Sequence, residues 1–295
     1  MKNRLFLLTA SALLFSCKKD SNNPIPTACF SQATGCLLTE IRDSVNNSLT
    51  TLLEYDNERK IKKLSDFKAD NSIEQCTTFT YNCNNVSFDV RDGSNILIES
   101  GNYSLNSDGL TTKITTIRQF TSQGEPDIST DNDTLTLTYD SDGLPTKTIW
   151  SVYQRNASGI TNYWNRSIST LSYENGSLSN TIIDFKEYFD NSLLGYKDEI
   201  TYTYAPDAPE VKRYGWFFEG ALPVIGPKSY GKEAFRKAPE KATKYRTLLG
   251  NSTSTNFTTH YSSEINQGGF PIKIRDLGLD GFSPRTRLFV YGLCQ

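Results

Sequence analysis

The sequence has few of the residues from which most reaction centres are built. It contains one histidine, His260, and one methionine among 295 residues, and its six cysteines show no Cys-x-x-Cys spacing. A zinc site or a nucleophilic triad needs more than a lone histidine, and no Gly-x-Ser-x-Gly turn occurs. The sequence therefore predicts no catalytic residues, no bound metal and no cofactor, and we expect a protein that is not an enzyme.

Long apolar runs and an excess of one charge are also missing. Hydrophobic residues make up 37% of the chain, which excludes a helical membrane protein with several spans. The 31 Lys and Arg residues nearly balance the 33 Asp and Glu residues, so no basic field points to nucleic acid. What remains is a chain rich in Tyr, Phe and turn-forming residues, long enough to bury a sizeable core.

The one extended apolar run lies at the N-terminus. Lys2 and Arg4 precede an apolar stretch of about a dozen residues, which is too short for a bilayer span but typical of a signal peptide. The stretch ends in Leu14-Phe15-Ser16-Cys17, which resembles the lipobox of bacterial lipoproteins. The resemblance implies that residues 1–16 are a signal peptide and that the lipidated Cys17 holds the chain at a membrane. An ordinary cleaved signal peptide is the alternative.

Residues 17–35 are predicted to form the lipidated cysteine and a flexible tether, because they are polar, contain proline and lack periodicity. The start Cys17-Lys18-Lys19-Asp20 is similar to lipoproteins of the Bacteroidetes group, in which charged residues after the cysteine can direct the protein to the cell surface. We therefore expect an outer-membrane lipoprotein on either the cell surface or the periplasmic face.

From residue 36 to residue 295 the chain repeats one theme: an alternating strand that ends in Tyr or Leu, a turn of Asp, Asn and Gly, and a second strand. The clearest copies surround Tyr55, Leu105, Tyr139 and Tyr173. Each copy predicts a β-hairpin, because Gly can adopt a positive φ and the side chain of Asp or Asn can hydrogen-bond to the nearby backbone. The spacing between copies is irregular, so the repeat is degenerate.

Alternation predicts which faces are apolar. In residues 134–139, Leu135, Leu137 and Tyr139 share one face and three threonines share the other. The expected fold is all-β, a large antiparallel up-and-down meander of about 14–16 strands, curled or closed into a barrel-like sheet, with one short helical or loop insertion at about residues 215–246. A membrane-spanning barrel is the alternative, but the predicted lipid anchor and the lack of aromatic girdles favour a water-facing sheet.

These features together resemble one family. The lipobox, the Tyr-Asp-x-x-Gly-type hairpins and the C-terminal segment Leu288 to Cys294 are similar to a Bacteroidetes lipoprotein family of unknown function. The resemblance implies a porin-like β-meander of YD-repeat-like hairpins over residues 36–295, with a Gly-, Lys- and Ser-rich stretch among the late hairpins. It implies no reaction.

The window 212–246 carries nine basic and three acidic residues and the only segment with plausible helix, near Lys232 to Lys237. It is either a solvated insertion that covers a sheet edge, or a site for an anionic glycan, a lipid headgroup or an acidic partner. The candidate residues for the anionic-ligand patch are Lys228, Lys232, Arg236, Lys237, Lys241 and Lys244.

The cysteines limit the possible disulfides. Cys76 and Cys83 flank the expected strand 77–82, about 23 Å apart when extended, so they cannot pair with each other. In a meander, Cys36, Cys83 and the end of the last strand share one rim, and Cys29 is close in sequence. We expect Cys29, Cys36, Cys83 and Cys294 to form two bridges and Cys76 to be free.

The functional hypothesis is a lipid-anchored envelope β-scaffold for binding or interaction, which acts as a monomer and is held to the membrane by its lipid. The first alternative is a glycan-binding or glycan-processing accessory lipoprotein, since Trp150, Trp164 and Trp216, with Tyr153 and Tyr163, could stack on sugars or fill a core. The second is a periplasmic carrier of an apolar ligand. A filled core, an open aromatic platform or a deep apolar cavity would distinguish the three.

Overall fold

The structure is a computed structural model. It describes residues 37–82, 84–121, 128–155, 161–189, 192–208, 237–250, 254–268, 270–276 and 285–292. No helix occurs among these residues. The predicted signal peptide, the tether and most of the expected insertion lie outside them.

The described chain forms sixteen antiparallel strands. Their bounds are β1 (Leu37–Asp43), β2 (Leu49–Tyr55), β3 (Ile61–Phe67), β4 (Ile73–Asn82), β5 (Asn85–Asp92), β6 (Leu97–Leu105), β7 (Thr111–Thr121), β8 (Ile128–Tyr139), β9 (Pro145–Arg155), β10 (Thr161–Glu174), β11 (Ser177–Phe189), β12 (Ser192–Thr203), β13 (Lys241–Leu248), β14 (Ser254–Ile265), β15 (Pro271–Asp276) and β16 (Arg285–Gly292). Each strand pairs with its sequence neighbours, and β1 also pairs with β16, so the sheet closes into a barrel. The predicted up-and-down meander is confirmed.

Five of the described hairpins, which begin their turns at Asp56, Asp92, Asn106, Asp140 and Asn266, share one turn. The side chain of the first turn residue accepts hydrogen bonds from the backbone N–H groups two and four residues later, as Asp140 does from Asp142 and Leu144 at 2.9 Å. Gly143 then takes a φ of 78°. Glycine adopts this positive φ without the steric penalty that a side chain would bring. The same geometry places Arg59 at a φ of 62° in the turn after β2, so glycine is favoured there but not required.

Five tyrosines define one end of the barrel, which we call the tyrosine rim: it is the rim at which β1 begins and β16 ends. Each hydroxyl donates to a backbone carbonyl near the start of the preceding strand, as Tyr173 does to Pro145 at 2.7 Å. The other four pairs are Tyr55 with Leu38, Tyr81 with Ile61, Tyr139 with Thr111 and Tyr204 with Leu178. Burial raises the pKa of Tyr81, Tyr139, Tyr173 and Tyr204, which keeps these hydroxyls protonated as donors.

The buried side chains point into the lumen. One cluster of buried apolar residues spans β3 to β8 and includes Phe79, Phe88 and Leu137, and a second spans β10 to β16, β1 and β2 and includes Ile200 and Phe289. The opposite face of the strands, here called the outer wall, carries mostly Thr, Ser, Asn, Lys and carboxylate side chains. The predicted alternation of residues 134–139 is confirmed: the leucines face the lumen and the threonines face outward.

Candidate functional site

The lumen changes character along its length. Near the tyrosine rim the inward side chains of β12 are Ile200 and Tyr202, both buried, whereas toward the other end Leu194 on the same face is 60% exposed. On β8 the inward series runs from Tyr139, Leu137 and Leu135 to Asp133 and Asp131. We call the far end the distal rim, and the polar, water-accessible part of the lumen beside it the polar cup. It is the candidate site.

The first wall of the polar cup is acidic. Glu99 on β6, Arg118 on β7 and Asp131 on β8 are directly paired neighbours, and Asp133 lies two residues further along β8. Arg118 donates from Nε and Nη2 to one oxygen of Glu99, at 2.9 and 2.6 Å. One guanidinium therefore faces three carboxyl groups, and this wall carries a surplus of negative charge.

Burial changes the acidity of this wall. It raises the pKa of Asp133 to about 6, with a further contribution from the nearby Asp131. Burial also raises the pKa of Asp131. The Oδ1 atom of Asp133 is buried and has no hydrogen-bond partner among the described residues. The protonated form of Asp133 is therefore favoured relative to an exposed aspartate.

The second wall, on β11 to β13, combines charge with aromatic rings. Arg246 donates from Nε and Nη2 to the two carboxylate oxygens of Asp198, at 2.7 and 2.8 Å. Its guanidinium lies 3.8 Å from the centre of the Tyr196 ring, and that ring stacks on Phe185 at 4.8 Å. Bidentate pairing and stacking together hold the guanidinium in one orientation.

A third polar group joins β10 to β11. Tyr163 donates to Glu187 at 2.7 Å and accepts a hydrogen bond from the amide nitrogen of Asn165 at 2.8 Å. Burial is the main cause that raises the pKa of Tyr163, and the neighbouring Glu187 adds to it. The amide oxygen of Asn165 is buried and has no hydrogen-bond partner among the described residues.

The polar cup offers hydrogen-bonding and charged groups. Among the described residues, no group of three or more His, Cys, Asp or Glu side chains is arranged to hold a metal ion. A search of the same residues finds no helix with the length and hydropathy of a membrane span. The arrangement is suited to binding a polar ligand through fixed donors and acceptors.

The described part of the basic patch does not converge on one surface. Lys241 points outward from β13, whereas Lys244, three residues later, points into the lumen and is buried above the ring of Phe257, at 5.1 Å from its centre. Lys237 donates to the carbonyl of Pro206 at 3.4 Å. Lys228, Lys232 and Arg236 lie outside the described residues, so the patch as a whole stays a prediction. Strand β13 begins at Lys241, inside the window expected as an insertion.

The aromatic candidates divide between the two faces of the barrel. Trp150 and Tyr163 face the lumen, and Trp164 and Tyr153 face outward on neighbouring strands. Trp216 lies outside the described residues. His260 is exposed on the outer wall of β14. The adjacent carboxylates Asp198 and Glu199 point to opposite faces, so they do not form a pair.

The cysteines are only partly described. Cys76 lies on the outer wall, within β4 rather than beside it, and forms no disulfide. Cys17, Cys29, Cys36, Cys83 and Cys294 lie outside the described residues, and the two predicted bridges stay predictions. The elements next to Cys36, Cys83 and Cys294 do end at one rim, because Leu37 pairs with Gly292 and Asn82 pairs with Asn85.

Sequence reasoning missed the acidic wall. A signal for it exists, since Asp131 and Asp133 have the same parity as Leu135, Leu137 and Tyr139, and therefore stand on the lumen face of β8. Carboxylates that continue an apolar face are costly to bury, which makes them candidates for a site. The partners Glu99 and Arg118 could not be found in this way, because they depend on the register of three strands.

Neither a protein-family model nor a curated relative matches the chain. Among solved structures, a porin-like protein from Bacteroides vulgatus is 13% identical and covers 87% of this chain and 98% of its own, with a TM-score of 0.54. A porin-like protein from Bacteroides uniformis is also 13% identical and covers 86% and 96%, with a TM-score of 0.49. The first likeness shows that the fold is shared, and it fits the porin-like β-meander that the family resemblance implied.

Proposed function

We propose that this protein is a lipid-anchored, water-facing β-barrel of the bacterial envelope, a binding scaffold that presents its polar cup away from the membrane. The signal peptide directs export, and the lipid on Cys17 anchors the chain to the membrane. The barrel supplies a rigid support, and the polar cup supplies the groups that a ligand would meet.

The chemistry of the outer wall carries this proposal. Five consecutive outward positions of β8 are Thr130, Asn132, Thr134, Thr136 and Thr138. Exposed ion pairs lie on the same wall, including Lys63 with Glu54 at 3.3 Å and Lys197 with Glu199 at 2.7 Å. A barrel that spans a bilayer needs an apolar outer band, and a charge at the midplane costs about 2–4 kcal/mol. This wall is instead suited to water.

The topology supports the orientation. Strand β1 begins at the tyrosine rim, directly after the segment predicted to be the tether. Apolar side chains are buried in the lumen at that end, and Leu178 and Ile200 are fully buried there. A lipid on Cys17 would therefore hold this apolar end toward the membrane and leave the polar cup on the far side.

A membrane pore is the competing proposal, because the similar solved structure is described as porin-like. A pore has an apolar outer band and a polar lumen. The described strands of this chain differ from this over the half next to the tyrosine rim, where the outer wall is mostly polar and the buried lumen side chains are mostly apolar.

The test separates anchoring from spanning. We expect cells that express the wild-type chain to incorporate labelled palmitate into it, and Cys17→Ser to abolish this labelling. The Cys17→Ser chain should leave the membrane in an alkaline carbonate wash, and it should add no conductance to a planar bilayer.

Two results would contradict the proposal. Palmitate incorporation into the Cys17→Ser variant would show that the lipid is not attached at position 17. Retention of the variant after the carbonate wash, or conductance in the bilayer, would show that the barrel spans the membrane despite its polar outer wall. Cys76→Ser is the matched control and should leave labelling and partition unchanged, because Cys76 lies within the barrel wall.

A further inference from the structure

The outer wall carries one row of aromatic side chains near the distal rim. Tyr153 on β9, Trp164 on β10 and Tyr188 on β11 are directly paired across neighbouring strands, and Leu193 on β12 continues the row. Tyr153 and Leu193 are 48% and 57% exposed. The rings of Trp164 and Tyr188 have centres 6.2 Å apart and planes only 14° apart. The rest of the outer wall is mostly polar, so this row is a local feature.

Basic side chains border the aromatic row on both sides. Arg155 lies toward the distal rim, and Arg166 and Lys186, which are paired with each other, lie on the other side. All three are exposed. Among the described outward residues of the aromatic row and its two flanking rows, from β8 to β12, none is acidic. We call the row and its basic neighbours the aromatic–basic strip, which consists of Tyr153, Trp164, Tyr188, Leu193, Arg155, Arg166 and Lys186.

We propose that the aromatic–basic strip binds an anionic polysaccharide. The ring faces match the C–H faces of sugar rings, and the flanking cations match carboxylate or sulfate groups. Neighbouring strands lie about 4.8 Å apart, so three rings on three strands form an extended track that suits successive sugars of one chain.

An anionic membrane surface also favours aromatic and basic side chains, but such a girdle surrounds a barrel. Among the residues that the structure describes, the aromatic–basic strip lies on β9 to β12, near the distal rim and away from the end at which the predicted tether enters. The inference rests on the water-facing outer wall proposed above. The two ideas fail separately, because carbonate extraction tests the wall and polysaccharide binding tests the strip.

The experiment uses the full chain with Cys17→Ser, so that acylation contributes nothing. Binding is measured by calorimetry with polygalacturonate, chondroitin sulfate and uncharged dextran, and by flotation with vesicles of phosphatidylcholine and phosphatidylglycerol. We expect a polyanionic glycan to bind more tightly than dextran, and its affinity to fall as salt increases. Trp164→Ala should weaken binding about three- to tenfold, and Arg166→Gln with Lys186→Gln should remove the preference for the anionic chain.

The matched control is Trp150→Ala, because Trp150 is 37% exposed on the neighbouring strand but faces the lumen. It should leave glycan binding unchanged. If Trp164→Ala does not fold, Tyr153→Ala at a more exposed position tests the same surface. Failure of both polyanionic glycans to bind, equal losses in the strip and lumen variants, or binding to anionic vesicles alone would overturn the proposal.

Discussion

The two ends of the lumen are built from the same strands but differ in the burial and polarity of their inward side chains. Next to the tyrosine rim, inward side chains such as Leu178 and Ile200 are fully buried and bring their apolar area out of water. In the polar cup, inward side chains such as Leu194 remain exposed, and charges such as Asp198 are buried only because a partner holds them. The comparison indicates that buried apolar packing is concentrated at one end and the polar groups of the proposed binding site at the other.

The largest expected effect tests where stability lies. Leu178→Ala should lower the free energy of unfolding by about 3 kcal/mol, because it leaves a cavity among fully buried neighbours. Leu194→Ala, also on the lumen face, should change it by less than about 0.5 kcal/mol. Urea unfolding followed by circular dichroism measures both values. Similar losses for the two leucines would show that the lumen is equally packed at both ends.

The next effect tests whether the polar cup depends on its ion pairs. Asp198→Asn should destabilise the protein by about 2 kcal/mol, since it leaves Arg246 without its bidentate partner. The adjacent Glu199→Gln breaks an exposed pair with Lys197 on the outer wall and should cost about 0.5 kcal/mol or less. Unfolding curves of the two variants compare the faces of one strand. If Glu199→Gln were the more damaging change, the assignment of lumen and outer faces would be wrong.

The smallest effect has the opposite sign. Burial raises the pKa of Asp133 to about 6, so the folded protein binds this proton more tightly than the unfolded chain. The stability that this proton supplies is lost as the pH rises from about 4 to about 6. Asp133→Asn should therefore stabilise the protein by about 1 kcal/mol at pH 7, after allowance for solvent screening, and by almost nothing below about pH 4.

Thermal unfolding of wild type and Asp133→Asn between pH 4 and pH 8 measures this gain. Asp142→Asn is the matched control, because that carboxyl lies exposed in the turn after β8. A stability gain that does not depend on pH, or that Asp142→Asn also shows, would contradict the explanation by burial of Asp133.

Much of the fold could be predicted because it depends on neighbours in the chain. The alternation of Leu135, Leu137 and Tyr139 identified a strand with one buried face, and the Asp140 to Gly143 turn identified the hairpin that follows it. Both rest on side-chain spacing and turn chemistry within ten residues. Closure was left open, since β1 meets β16 across more than two hundred residues.

The candidate sites were harder to predict because they depend on register. Arg246 meets Asp198 across 48 residues, and Arg118 meets Glu99 across 19 residues. Tyr153 and Trp164 were expected as sugar-stacking candidates, but the sequence could not separate them from Trp150 and Tyr163, which face the lumen. A shift of one residue in any strand would have reversed that division.

The order of residues alone specified the strands and their hairpins, because each arises from contacts within a few positions along the chain. Folding in three dimensions then selected which face of each strand became the lumen, which charges met and which aromatic rings aligned. The reason is that a strand's own pattern repeats every two residues, whereas its alignment with a neighbour is a separate choice that only the closed sheet makes.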